Sequence, residues 1–270
     1  MKRQFRLQMH NELYRMIKGK QFKISLFIGI GISLWHFFQH VLKTDVMGYG
    51  FPTSAYIRWI GADAYEMQSY WYYLILPLLA VFPFAGTMFT DLKSGYANQI
   101  FLRSNRETYF KAKFMITFLS GGLCCVVPLV INFLLTATVC PLHYPDLSIG
   151  IGPAAYCIGS RLYYMRPFLY WILYMCFDFV MCGSFAVAAL VFSFFVDYQM
   201  IALLLPFGIY YFLFCFGGML GTEVLSANYF LIPGVGVKSS ISIVASIGMC
   251  TIVSVIYVLK GKNYEAAGRL

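Results

Sequence analysis

The chain has 270 residues, of which 60% are hydrophobic and only 11% charged, with a mean hydropathy of +0.70. Soluble domains carry roughly 25% charged residues, so this composition excludes a water-soluble domain and points to an integral membrane protein. The formal net charge of +9 follows from where the cations sit, set out below, and calls for no nucleic-acid partner.

Residues 4–20 read as an amphipathic helix lying in the membrane surface. Phe5, Met9, Leu13, Met16 and Ile17 share one face, and Gln4, Gln8, Asn11, Glu12, Arg15 and Lys18 gather on the other. Six apolar runs follow, at 22–42, 70–90, 114–139, 167–196, 200–220 and 241–259. About 20 apolar residues cross a bilayer core of ~30 Å. The runs lack the period-two alternation of barrel strands, so helices are the remaining way to satisfy their backbone. The run 167–196 is longer than a crossing needs and must tilt or protrude.

The cations cluster in alternate connections. Lys2, Arg3, Arg6, Arg15, Lys18, Lys20 and Lys23 precede or open the first span. Lys93, Arg103, Arg106, Lys111 and Lys113 lie between the second and third, and Lys260, Lys262 and Arg269 follow the last. Short loops rich in Lys and Arg stay in the cytosol. Both termini and the island 91–113 are therefore expected inside, in a single transmembrane domain over 1–270. The N-terminus has no small-residue cleavage site after its apolar run and is not expected to be a removed signal peptide.

The outer connections carry many aromatic residues, among them Tyr49, Tyr56, Trp59, Tyr65, Tyr70, Trp71, Tyr72, Tyr73, Tyr144, Tyr156, Tyr163 and Tyr164. A headgroup belt is the expected role, with a stacking platform for sugars as the alternative. The loop 220–240 is weakly polar and is expected to dip into the outer leaflet. Cys140 and Cys157 are the cysteines on the outer side and the candidates for a disulfide, worth about 3 kcal/mol for so short a loop. The other six fall inside spans or at their edges, without metal-ligand spacing.

Within the spans, Asp178 is the one deeply placed acid, about 16 Å from Pro167 along a helix. Intramembrane acids face protein or a water-filled path, so a proton or substrate site and a hydrogen-bonded packing acid both stand open. His36 and His40, one turn apart, lack a visible third ligand, which favours packing over metal binding. Gly217 and Gly221 form a GxxxG suited to close helix packing. No GxxxxGK[ST], GxSxG or HExxH is present, so neither ATP hydrolysis nor another catalytic activity is expected of this chain.

The island reads as a short helix from Asp91 to Phe101, a corner at Ser104-Asn105, and the start of the third span. Ser104 and Glu107 have capping-box spacing. Together with the interface helix and six spans, the segment Asp91, Gly95, Arg103, Arg106, Tyr109, Lys113 resembles the membrane permease subunit of type-2 ABC exporters. Members of that family often have proline before the second arginine, where this chain has Asn105; its turn between spans four and five (197–199) is minimal.

The resemblance implies an all-α permease in which 91–106 is a cytosolic coupling helix, with Asp91, Gly95, Tyr96, Arg103, Arg106, Glu107 and Tyr109 serving contact with an ATPase. It further implies two copies of a cytosolic ATPase subunit, which would hold ATP and magnesium. A second permease subunit, identical or different, a hydrophobic or amphipathic cargo (peptide antibiotic, lipid or drug) and a bacterial plasma membrane complete the expectation. The alternatives are a proton-coupled secondary transporter using Asp178 and a non-transporting membrane anchor or sensor.

Overall fold

The computed structural model describes residues 2–43, 54–62, 66–146, 152–220 and 230–262; the side chains of Lys2, Arg103 and Lys262 lie outside that description. The described chain is helical, and its one strand-like pairing is an isolated antiparallel bridge between Ile158 and Val237. The helices are α1 (Lys2–Lys18), α2 (Lys20–His36), α3 (Ala55–Arg58), α4 (Met67–Val81), α5 (Gly86–Lys93) and α6 (Tyr96–Arg103). After these come α7 (Arg106–Val139), α8 (Ser160–Met165), α9 (Pro167–Phe192), α10 (Gln199–Met219) and α11 (Ser240–Lys262). A π turn, Phe37–Val41, continues α2.

Among the described residues, six stretches are long and apolar enough to cross a membrane: Lys20–Val41, Met67–Lys93, Arg106–Val139, Pro167–Phe192, Gln199–Met219 and Ser240–Gly261. The chain is a multi-pass membrane protein. The second crossing is α4 and α5 together, broken at 82–85. The third, α7, has 34 residues and is about 51 Å long, so its first turns project beyond a ~30 Å core. The fourth ends as an α-helix at Phe192, four residues earlier than its apolar run.

Packing between the crossings relies on small residues and on hydroxyls bonded to carbonyls, as expected where lipid is as apolar as the side chains. α2 turns Ser25, Gly29, Ser33 and His36 inward and leaves Phe27, Ile24 and Trp35 exposed. Ser25 Oγ donates to the Leu79 carbonyl at 2.7 Å and Ser33 Oγ to that of Pro128 at 2.8 Å. Asn132, fully buried on α7, donates from Nδ2 to the Ser33 carbonyl and accepts from the Ile60 amide, both at 2.8 Å.

The central pair is α7 and α9. A Cβ on Gly121 would lie 2.7 Å from Ala186 Cβ and 3.0 Å from the carbonyl oxygens of Ala80 and Cys182. Three helices meet there at backbone distance. Gly122 and Gly183 receive the rings of Phe179 and Phe118, each 2.6 Å from where a Cβ would sit. The close-packing role expected of Gly217 and Gly221 thus has clear counterparts at Gly121, Gly122 and Gly183; Gly217 is buried on α10, and Gly221 lies outside the described residues.

One end of the bundle is closed by aromatic residues. Trp171 stacks on Phe133 at 4.4 Å between centroids, and Trp59 meets Phe133 edge-on at 5.9 Å. Tyr56, Trp59, Tyr72, Tyr73 and Tyr163 are buried in this core, whereas Tyr70, Trp71, Tyr144 and Tyr156 are exposed. The expected belt is therefore divided: half of these rings are core, because α3 and α8 fold back over the helix ends. Tyr49 and Tyr65 lie outside the described residues. Within loop 220–240, the stretch from Phe230 to Val237 is buried against the same end except for half-buried Val235, with the Gly234 amide donating to the Gly61 carbonyl at 2.9 Å, while Leu220, Lys238 and Ser240 are exposed.

Candidate functional site

At the opposite end of the bundle, α1 lies against α7 and brings Glu12 and Arg15 to the junction of α5 and α7. Arg15 donates to both carboxylate oxygens of Asp91, at 2.6 and 3.0 Å. Lys113 Nζ, fully buried, donates to Asp91 Oδ2 at 2.7 Å and to Glu12 Oε2 at 3.1 Å. Tyr109 Oη adds a 2.9 Å bond to Asp91 Oδ2, and Gln8 Nε2 one of 3.3 Å to Glu12.

Two carboxylates and two cations thus neutralise one another, with Glu12, Asp91 and Lys113 buried and Arg15 partly exposed. Buried ion pairs hold only when their remaining lone pairs and protons are satisfied in this way. Burial works against the charge of Arg15, but its hydrogen bond to Asp91 and the fields of Glu12 and Asp91 outweigh that, and the guanidinium is held above its ordinary range. Arg15 also lies over the Tyr96 ring, 4.9 Å from its centroid, and Lys113 over that of Phe84 at 4.6 Å.

This arrangement corrects part of the reading of α1. Gln4, Asn11 and Lys18 of its polar stripe are exposed, but Gln8 and Glu12 are buried together with Met16, while Leu7, Tyr14 and Ile17 are exposed. Met9, Leu13 and Met16 do turn inward, against Phe84, Ile116 and Phe22. The sequence placed Lys113 in the polar island, and its burial follows from α7 beginning two turns earlier, at Arg106.

The connection from α5 to α7 is a helix between two corners. Gly95, at φ +74°, ends the α5 turn in the left-handed region, which glycine enters without steric cost. At the second corner the Asn105 side chain accepts from the Glu107 amide at 3.1 Å and caps α7. The expected Ser104–Glu107 capping box is not formed: Asn105 takes the capping position one residue later, and Ser104 Oγ is buried without a hydrogen-bond partner. Glu107 pairs with Lys111 at 3.1 Å on the exposed side.

Of the residues expected in the coupling segment, Asp91 belongs to the end of the second crossing and is buried with Tyr109. Tyr96 begins α6 and Arg106 begins α7, with its guanidinium 5.6 Å from the Phe101 ring centroid. α6 leaves Asn98, Gln99 and Leu102 exposed, Leu102 at 89%. The turn between α9 and α10 sits beside α5, where Lys93 Nζ donates to the Asp197 carbonyl at 2.5 Å and Gln199 Nε2 to that of Gly86 at 3.2 Å.

The other candidates are spread through the bundle. Asp178 is fully buried on α9, and neither carboxyl oxygen has a hydrogen-bond partner. His40 pairs with Glu66 at 3.2 Å, and His36 Nδ1 lies 3.4 Å from Asn132 Nδ2. Among the described residues no group of three His, Cys, Asp or Glu side chains is placed to hold a metal. The candidate disulfide is not formed: Cys140 packs with Phe37, Val41 and Ala55, while Cys157 donates to the Val235 carbonyl at 3.7 Å.

No family model matches this chain, and neither a curated protein nor a solved structure matches it.

Proposed function

We propose that this multi-pass membrane protein is the permease subunit of an ATP-driven exporter of the type-2 ABC kind, taking its energy from a separate cytosolic ATPase. The observation that carries the reading is the junction of Glu12, Arg15, Asp91 and Lys113 beside α6. A short helix with exposed Asn98, Gln99 and Leu102 is held between corners at Gly95 and Asn105. Its roots are tied by charge to α1 and to both flanking crossings. A push on such a helix is transmitted to the bundle instead of being absorbed by a loose loop.

In this reading α6 seats the ATPase, and Arg103 and Arg106 steer its acidic groove. Two permease subunits, identical or different, flank the pathway, and cargo is hydrophobic or amphipathic. The experiment reverses both arginines. Arg103→Glu with Arg106→Glu should insert normally yet lose co-purification with the ATPase and cargo-stimulated ATP hydrolysis. Exposed pairs are each worth about 0–1 kcal/mol, so either single reversal should bind nearly as the parent does. A correctly inserted double variant that keeps both properties overturns α6 as the docking element, and a parent chain that binds no ATPase overturns the reading as a whole.

A further inference from the structure

The carboxyl of Asp178 is an anomaly that the exporter reading leaves unused. It sits midway along α9, with no exposed surface and no hydrogen bond to either oxygen. Tyr174 and Cys182 lie one turn to either side on α9 itself. Tyr72 and Tyr73 of α4 and Tyr210 of α10 complete the titratable groups in its electrostatic reach. Cys125 of α7 and Cys250 of α11 stand one layer further out, around Cys182. No charged side chain faces it among the described residues, from these helices or from α5 and α8.

Two of the four neighbouring tyrosine hydroxyls are committed elsewhere. Tyr72 Oη donates to the Cys125 carbonyl, and Tyr210 Oη to that of Tyr73 at 2.8 Å. Tyr73 Oη and Tyr174 Oη, by contrast, are buried without a partner. An orphan carboxyl therefore shares its surroundings with two orphan hydroxyls, of which that of Tyr73 belongs to the facing helix α4. An ionised carboxylate here would incur a Born cost on the order of tens of kcal/mol with nothing to offset it, against a few for an unbonded neutral polar group.

We propose that Asp178 is a proton-binding site at the centre of the bundle. The closed bundle described above is its proton-loaded state, with Tyr73 Oη the acceptor for the acid proton once the two side chains turn toward each other. The proton leaves only when the crossings part and water reaches α9, so proton release and opening of the bundle are linked. This holds whether or not an ATPase drives the chain.

Isotope-edited infrared spectroscopy of the purified protein tests it, with ¹³C in the aspartate carboxyls. At neutral pH one protonated aspartic-acid C=O band is expected, lost in Asp178→Asn, shifted in frequency in Tyr73→Phe, and moving on transfer to heavy water as the bundle opens. No protonated aspartic band at neutral pH in the parent chain overturns the proposal, and so does a band that survives Asp178→Asn. A band that never moves in heavy water marks a sealed packing acid and equally overturns it. Should Asp178→Asn fail to fold, the parent spectrum and the Tyr73→Phe shift decide the matter on their own.

Discussion

Lys113 has no exposure at all, yet it carries a full charge between two carboxylates that belong to different helices. Removing one member of such a set leaves an uncompensated buried charge, which costs about 3–5 kcal/mol. Lys113→Met should therefore lower the thermal stability of the purified protein sharply, with Glu12 and Asp91 left to share Arg15. Glu12→Gln in the same chain restores neutrality, because the two-pronged Arg15–Asp91 pair remains. The double variant is expected to recover much of the loss in a thermal-unfolding cycle. If the two losses simply add, the four groups do not act as a unit.

At the scale of elements, the crossings were legible and their contacts were not. Apolar length alone locates six helices, because a bilayer leaves the backbone no other solution. It says nothing of which face turns inward, since the apolar residues on both faces look alike. The GxxxG at Gly217 and Gly221 stood out as a pattern, whereas nothing in the sequence marked Gly121, which approaches Ala186 Cβ and carbonyl oxygens of α4 and α9. Gly121→Val should disrupt the bundle and sharply reduce the yield of monodisperse protein in detergent. Gly208→Ala and Gly218→Ala, where an added Cβ meets nothing within 4 Å, should leave it unchanged. Equal yields for all three would remove Gly121 from the packing centre. Likewise the island was recognisable from its charges, while the burial of Asp91 depends on Arg15 of α1 and on Tyr109 and Lys113 of α7 closing over it.

For the molecule as a whole, the contacts fix which parts share an end. α1, α6 and the last turns of α11 lie together, with Arg15 on Asp91 and Tyr257 Oη bonded to the Phe110 carbonyl at 3.1 Å. The charge distribution predicts that this end faces the cytosol. A cysteine at the exposed position Asn98→Cys should then escape an impermeant maleimide in intact cells and react with it in inverted vesicles, beyond the background of the parent chain. Reaction in intact cells would place α6 outside and end its candidacy as an ATPase seat. The same end sets an order on biogenesis. Glu12 is made before its buried partner Lys113, which comes 101 positions later. At about 5–20 residues per second, the N-terminal helix waits roughly 5–20 s for the lysine that neutralises it. α1 thus docks only once the third crossing has begun to emerge, and until then the growing chain holds two opposite charges in the headgroup layer, where water can still reach them.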